Sequence, residues 1–224
     1  MKKILISGDS WGCGEWGEEG THYGVLHTGL EQYLSDTGFS VTNISIGGFS
    51  NTGSIDQIKI KLANDHYDHI IWFQSDPYRD LRPYDKFYTR LQNYDDFKAI
   101  GSQLLNKSYT QLNQLNTKII CLGGCTKLDQ NIKNYSNLIP SVASIIELLI
   151  PEFTAPEIWI SDWGRLLDQQ IPIEVLDQIA VNKDLQDKLS GFPEMFYPDG
   201  RHPNRHGHLI LYNFIKGEFL NESN

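Results

Sequence analysis

Lys2-Lys3-Ile4-Leu5-Ile6-Ser7-Gly8-Asp9-Ser10 carries a run of apolar β-formers, then a glycine, then an acidic residue and a serine. That order reads as a strand over residues 2–7 ending in a tight turn, with the serine at its rim. Comparable runs recur along the chain. Phe39 to Ile46 (FSVTNISI) reads as a second strand. Asp68 to Phe73 (DHIIWF) reads as a third, nearly apolar throughout, as a strand covered on both faces should be. Lys118 to Leu122 (KIICL) and Glu157 to Ser161 (EIWIS) supply a fourth and a fifth.

Segments of helical period separate these runs. After a glycine-rich turn at 8–20, residues 22–37 place Leu26, Leu30, Tyr33 and Leu34 on one helical face, with Gly38 just beyond. Ser50 or Asn51 can cap a helix carrying Ile55, Ile58 and Leu62. Further helices are expected over Tyr94–Leu115, around 173–189, and from Asn204 to Phe219. Residues 77–94 read as irregular, and 129–155 as helical stretches broken at Pro140 and Pro151. Strands alternating with helices predict a three-layer α/β/α sandwich around a five-stranded parallel sheet. One domain over residues 1–224 is expected, with insertions near 77–95 and 129–155.

Composition narrows the function. The 224 residues hold 19 Lys and Arg against 28 Asp and Glu, a net charge of −9 that argues against nucleic acid or an anionic membrane as the partner. Three cysteines, Cys13, Cys121 and Cys125, are too few for a disulfide framework. The apolar run after Met1-Lys2-Lys3 is too short for a signal peptide, and no stretch is long enough to span a membrane. A soluble cytoplasmic protein with reduced thiols is expected.

In such a sandwich, ligands bind beyond the carboxyl ends of the strands. Those loops hold Gly8-Asp9-Ser10, Gly47-Gly48-Phe49-Ser50-Asn51 and Gln74-Ser75-Asp76-Pro77, and Asp199-Gly200-Arg201-His202 lies near the chain end. Together they make a parts list for acyl transfer. A serine hydroxyl needs a base, which His202 can be, and Asp199 can fix the imidazole tautomer. The N–H groups of Ser10 and Gly48 are candidate oxyanion donors.

These residues resemble the blocks of the SGNH (GDSL-type) hydrolases over nearly the whole chain. Gly8-Asp9-Ser10 is similar to the first block, which implies Ser10 as nucleophile and as one oxyanion donor. Asn43-Ile44-Ser45-Ile46-Gly47-Gly48 resembles the second, which places the oxyanion glycine at Gly48. Asp199-Gly200-Arg201-His202-Pro203-Asn204 is similar to the last, which implies His202 as base and Asp199 as its partner. The resemblance implies a flavodoxin-like fold and a cofactor-free serine esterase releasing a small acyl group, such as acetate, from a carbohydrate or related alcohol. The third block departs: Ser75 stands where the family carries an oxyanion asparagine, and Gln74 sits one residue off, where strand alternation turns it away. That departure keeps open a non-catalytic binding module on the same scaffold, and an acyltransferase using the same serine. The short third block followed by Arg79-Asp80 also resembles hydrolase-like proteins of bacteriophages.

Other residues admit two readings each. Trp11 and Trp16 can stack on a substrate or cover the core; Asn51 and Asp76 are further substrate-binding candidates. Arg79 and Arg82 can form a fork for an anionic group, or pair with Asp76, Asp80 or Asp85. With Arg201 and Arg205 they would give the acidic protein a locally basic mouth. His202, His206 and His208 with Asp199 invite a metal reading, disfavoured because Pro203 separates the first from the helix and the other two point apart. No metal is expected, and oligomeric state is not legible.

Overall fold

The computed structural model describes residues 1–81, 93–156, 187–197 and 202–216. Its main sheet has five strands: β1 (Lys3–Ser7), β4 (Ser40–Asn43), β5 (His69–Gln74), β6 (Ile119–Gly123) and β7 (Leu138–Val142). They pair in parallel, in the order β4-β1-β5-β6-β7. This is the flavodoxin-like order, in which the chain leaves β1 for one side and then returns to its other flank. The point where direction reverses lies between β1 and β5, so the loops leaving those strands border one crevice.

Strand alternation distributes the core into two layers. Ile4, Ile6, Ile71, Phe73, Ile120 and Leu122 face one side. There they meet α2 (Leu30–Asp36), α5 (Ile145–Leu149) and α6 (Arg205–Ile215). Leu5, Ile70, Trp72, Ile119 and Cys121 face the other, against α3 (Asn51–Leu62) and α4 (Tyr94–Asn113). Trp72 is fully buried and stays there because its indole N–H finds Ser54 Oγ at 2.9 Å.

Two expectations are corrected. Residues 22–37 are not one helix: β2 (Glu15–Glu19) and β3 (His22–His27) form an antiparallel hairpin, and only Leu30–Asp36 is helical. Gly20, at φ 64, makes the two-residue turn with Thr21, and the cross-strand pair Trp16–Val25 replaces the helical face. The short helix α1 (Ser10–Cys13) precedes the hairpin. The second correction concerns the proline-broken stretch, where β7 (Leu138–Val142) is the fifth strand of the described sheet; the expected strand Glu157–Ser161 lies outside the described residues. Pro140 is compatible with β7 because, among the described residues, that strand pairs only with β6. The stretch 129–155, expected as an insertion, therefore contributes an integral strand and α5. Of the region 77–95, Pro77–Asp80 form a 3₁₀ turn and 82–92 lie outside the described residues. The expected helix around 173–189 is likewise almost wholly outside them.

Candidate active site

Asp9 shapes the first loop. Its carboxylate caps α1 by accepting the Trp11 N–H at 3.0 Å, which leaves Ser10 half-buried at the start of that helix, beyond the end of β1. The second loop is sewn alongside. Past the end of β4, Ile44 N–H donates to the Ile6 carbonyl at 2.9 Å and Ile46 N–H to the Gly8 carbonyl at 3.2 Å. Asn43 adds a bond from Nδ2 to the Gly12 carbonyl at 2.9 Å. The Ile46–Phe49 turn, closed by a 3.1 Å bond from Phe49 N–H to the Ile46 carbonyl, is thereby held at Ser10. A Cβ on Gly47 would stand 4.0 Å from that of Ser10.

Gly48 sits in this turn at φ 79, a conformation that a side chain strains. The Gly47 N–H is directed at the Cys13 thiol. Among the described residues, the backbone N–H groups of Ser10 and Gly48 donate to no carbonyl. That leaves two adjacent loops each with an uncommitted donor.

The third loop is built differently from its sequence reading. Ser75 Oγ donates to the Phe49 carbonyl at 2.8 Å and accepts from Arg79 Nη1 at 2.9 Å. Its single hydroxyl proton is therefore already committed. Arg79 Nη1 also meets Asp9 Oδ2 at 2.9 Å, so among the described residues Arg79 pairs with the aspartate of the first block rather than with Asp76 or Asp80, while Asp85 lies outside them. Gln74 points away from the site, as alternation requires, and accepts from Tyr109 Oη at 2.6 Å.

Three substrate-binding candidates have partners within the fold. Asn51 is fully buried, and its amide clasps Ser75, accepting the N–H at 2.7 Å and donating to the carbonyl at 3.0 Å. Asp76 caps the 3₁₀ turn by accepting Tyr78 N–H at 2.9 Å. Trp11 is a core residue, edge-on to Phe196 with ring centroids 6.2 Å apart. Neither Arg79 nor Arg205 leaves an unbalanced basic mouth: Arg205 pairs with Glu15 at 3.1 Å, while Arg82 and Arg201 lie outside the described residues.

His202 is fixed by the backbone on either side of it. Its carbonyl accepts Tyr197 N–H at 2.9 Å, Asn204 N–H donates to the Met195 carbonyl at 2.9 Å, and Asn204 then caps α6. Its ring lies 5.4 Å from that of Trp16, tilted by 32°. Trp16 reaches the loop after β1 as well, donating from Nε1 to the Ser10 carbonyl at 2.8 Å. Ser10 and His202 are thus brought to one side chain, although Ser10 Oγ has no hydrogen-bond partner among the described residues. Asp199 lies outside the described residues.

Sequence reasoning passed over Tyr23, whose Oη is 3.2 Å from His202 Nδ1. The signal was the alternation in Glu15–Glu19 and His22–His27 about Gly20, which the helical reading of 22–37 concealed.

The thiols are not poised for chemistry. Burial and the nearby Asp9 carboxylate push Cys13 up to about 12, and burial raises Cys121 and Cys125 as well. Among the described residues no His, Cys, Asp or Glu cluster is placed to hold a metal, and no helix is long and apolar enough to cross a membrane.

No family model and no curated protein matches the chain. Solved structures do match over nearly its whole length. A lipolytic protein of the G-D-S-L family from Veillonella parvula is 14% identical at TM-score 0.48, covering 99% of this chain and 100% of that one. The psychrotrophic esterase EstA from Pseudoalteromonas is 13% identical at TM-score 0.44, covering 98% and 97%. The acetylxylan esterase Axe2 from Geobacillus stearothermophilus, as a catalytic mutant, is 20% identical at TM-score 0.38, covering 97% and 93%.

Proposed function

We propose that the chain is a serine esterase of the SGNH (GDSL) type, cleaving a small acyl ester by a Ser-His-Asp acyl-enzyme mechanism. The observation that carries this reading is the convergence at the β1/β5 switch point: Ser10 lies beside the Gly48 turn, and Trp16 links its loop to His202. Ser10 Oγ attacks the ester carbonyl while His202 takes its proton, and Asp199 orients the imidazole. The N–H groups of Ser10 and Gly48 hold the oxyanion. His202 then protonates the departing alcohol and activates the water that releases the acid. The oxyanion hole has two donors, both backbone, and lacks a third from a side chain, because Ser75 keeps its proton on Phe49. One missing donor costs about 100- to 1,000-fold in turnover. The substrate class is a small-molecule or carbohydrate ester, with acetate as the acyl group.

Labelling with a fluorophosphonate and turnover of p-nitrophenyl acetate test this directly. Both should occur and both should vanish in Ser10→Ala; a wild-type protein that is neither labelled nor active refutes it. The committed Ser75 hydroxyl favours a second reading, a binding module retaining the scaffold. An acyltransferase would differ from the esterase in passing the acyl group to an added alcohol, which product analysis detects.

A further inference from the structure

The β2–β3 hairpin is a two-stranded sheet of its own, and it carries aromatic side chains to the candidate base. Trp16 and Tyr23 stack, with ring centroids 5.7 Å apart and planes 26° from parallel. The His202 ring lies 5.4 Å from that of Trp16, and the Tyr197 ring packs 6.2 Å from that of Tyr23. Tyr197 is held to the hairpin, its hydroxyl accepting the Glu18 N–H at 3.1 Å. Trp16 is anchored through Nε1 to the Ser10 carbonyl, and its Cζ2–Cη2 edge stands 3.3 Å from where a Cβ on Gly47 would be. One indole thus runs from the Gly47 turn to His202.

None of these three aromatic side chains is fully buried: Tyr23 is 43% exposed, and Trp16 and Tyr197 are half-buried. Aromatic surface left in water beside a site is surface that a ligand gains by covering. Its place says which half of an ester would cover it. With the carbonyl oxygen on the N–H groups of Ser10 and Gly48, the alcohol oxygen has to come within about 3 Å of the base that protonates it. The acyl group has no such need to approach the imidazole. Whatever the alcohol oxygen carries is therefore brought, one or two bonds further on, to the aromatic cluster flanking His202. Three contiguous aromatic side chains also present more surface than a methyl or ethyl group can cover.

We infer that Trp16, Tyr23 and Tyr197 form a subsite for the alcohol half of the ester, and that this alcohol carries a ring. The inference rests on the esterase reading, since it is the departing alcohol that His202 draws to the cluster. In acylation the bond from Ser10 Oγ to the acyl carbon forms and the bond from that carbon to the alcohol oxygen breaks. The proton leaving Ser10 passes through His202 to the alcohol oxygen. The aromatic cluster exchanges no proton; it holds the alcohol while that transfer occurs.

Cyclohexyl acetate and ethyl acetate share an acyl group and have alcohols of similar acidity, so the ratio of their kcat/KM values reads the alcohol alone. Wild type should favour the cyclohexyl ester by about 3- to 10-fold, what a ring contact of this kind sustains. Trp16→Ala should abolish the preference by raising KM for the cyclohexyl ester. Trp16→Phe keeps a ring in the stack and should retain part of it, which guards against loss of the hairpin in the alanine variant. Val25→Ala, opposite Trp16 on β3 and 42% exposed, should keep the wild-type ratio. The ratio of p-nitrophenyl butyrate to p-nitrophenyl acetate, which varies the acyl group, should be unmoved by Trp16→Ala. A wild-type preference near one, a preference unmoved or raised by both Trp16 variants, or a shift confined to the acyl series overturns the inference and leaves the esterase reading standing. A wild type that turns over neither acetate and takes no fluorophosphonate refutes the esterase reading, and this inference with it.

Discussion

Asn51→Ala separates a structural asparagine from a substrate-binding one. In sequence Asn51 is a candidate ligand of the substrate; in the structure it has no exposed surface, and both halves of its amide serve the backbone of Ser75 at 2.7 and 3.0 Å. Truncation strands a buried N–H and a buried carbonyl at the end of the central strand β5. Each orphaned group costs about 1–3 kcal/mol, so the pair should cost about 3 kcal/mol after relaxation. Domains of this class have only about 5–15 kcal/mol in hand. At this chain length the loss should lower Tm by about 6–12 °C. Urea denaturation and calorimetry measure it, with Gln111→Ala on the surface of α4 as a comparison. A substrate ligand would behave oppositely: unchanged stability with a raised KM for p-nitrophenyl acetate. A loss below about 1 kcal/mol, less than one unmet buried group should cost, would show that the clasp does not hold the third loop.

Three further outcomes follow from the same geometry. Arg79→Met leaves the Asp9 carboxylate, itself only 8% exposed, without its cation, and should destabilise by about 3 kcal/mol in urea melts; a neutral result removes the ion pair from the account of the first block. His208 is buried and held near 4, below the ordinary imidazole value of 6.5, because burial disfavours its charge. The unfolded chain therefore binds the proton first, and stability is complete above about pH 6.5 and declines as pH falls toward 4, by about 3 kcal/mol in all. His208→Phe should flatten that decline, and a curve parallel to wild type contradicts it. With its thiol pushed up to about 12, Cys13 should resist iodoacetamide at pH 8 in the folded protein and react on unfolding. Fast alkylation of the native state would count against the burial described here.

The sheet was legible because a central parallel strand leaves a nearly unambiguous trace. Residues 68–73 are almost continuously apolar, and the observed β5, His69–Gln74, differs by one residue at either end. Strand β7 left no such trace: Leu138–Val142 contains Pro140, is buried only at its two ends, and reads locally as a broken helix. The hairpin failed for a related reason. Leu26, Leu30, Tyr33 and Leu34 satisfy a helical period by coincidence of two elements, since Leu26 belongs to β3 and the other three to α2.

At the site, the sequence offered candidates by residue type, and what it concealed was partnership. Ser10, Gly48 and His202 could be named from residue type and loop position, because an acyl-transfer site needs a hydroxyl, an accessible N–H and a neutral base after strand ends. Nothing in Asp9 alone says that its carboxylate both caps α1 and holds Arg79, seventy residues on. Nothing in Ser75 says that its proton goes to Phe49 rather than to a ligand. Partnerships of this kind depend on which strands adjoin, and β1 and β5 are neighbours only through the reversal of strand order. The Ser75–Phe49–Arg79–Asp9 network ties together the loops after β1, β4 and β5, so the Ser75 hydroxyl binds the loops to each other.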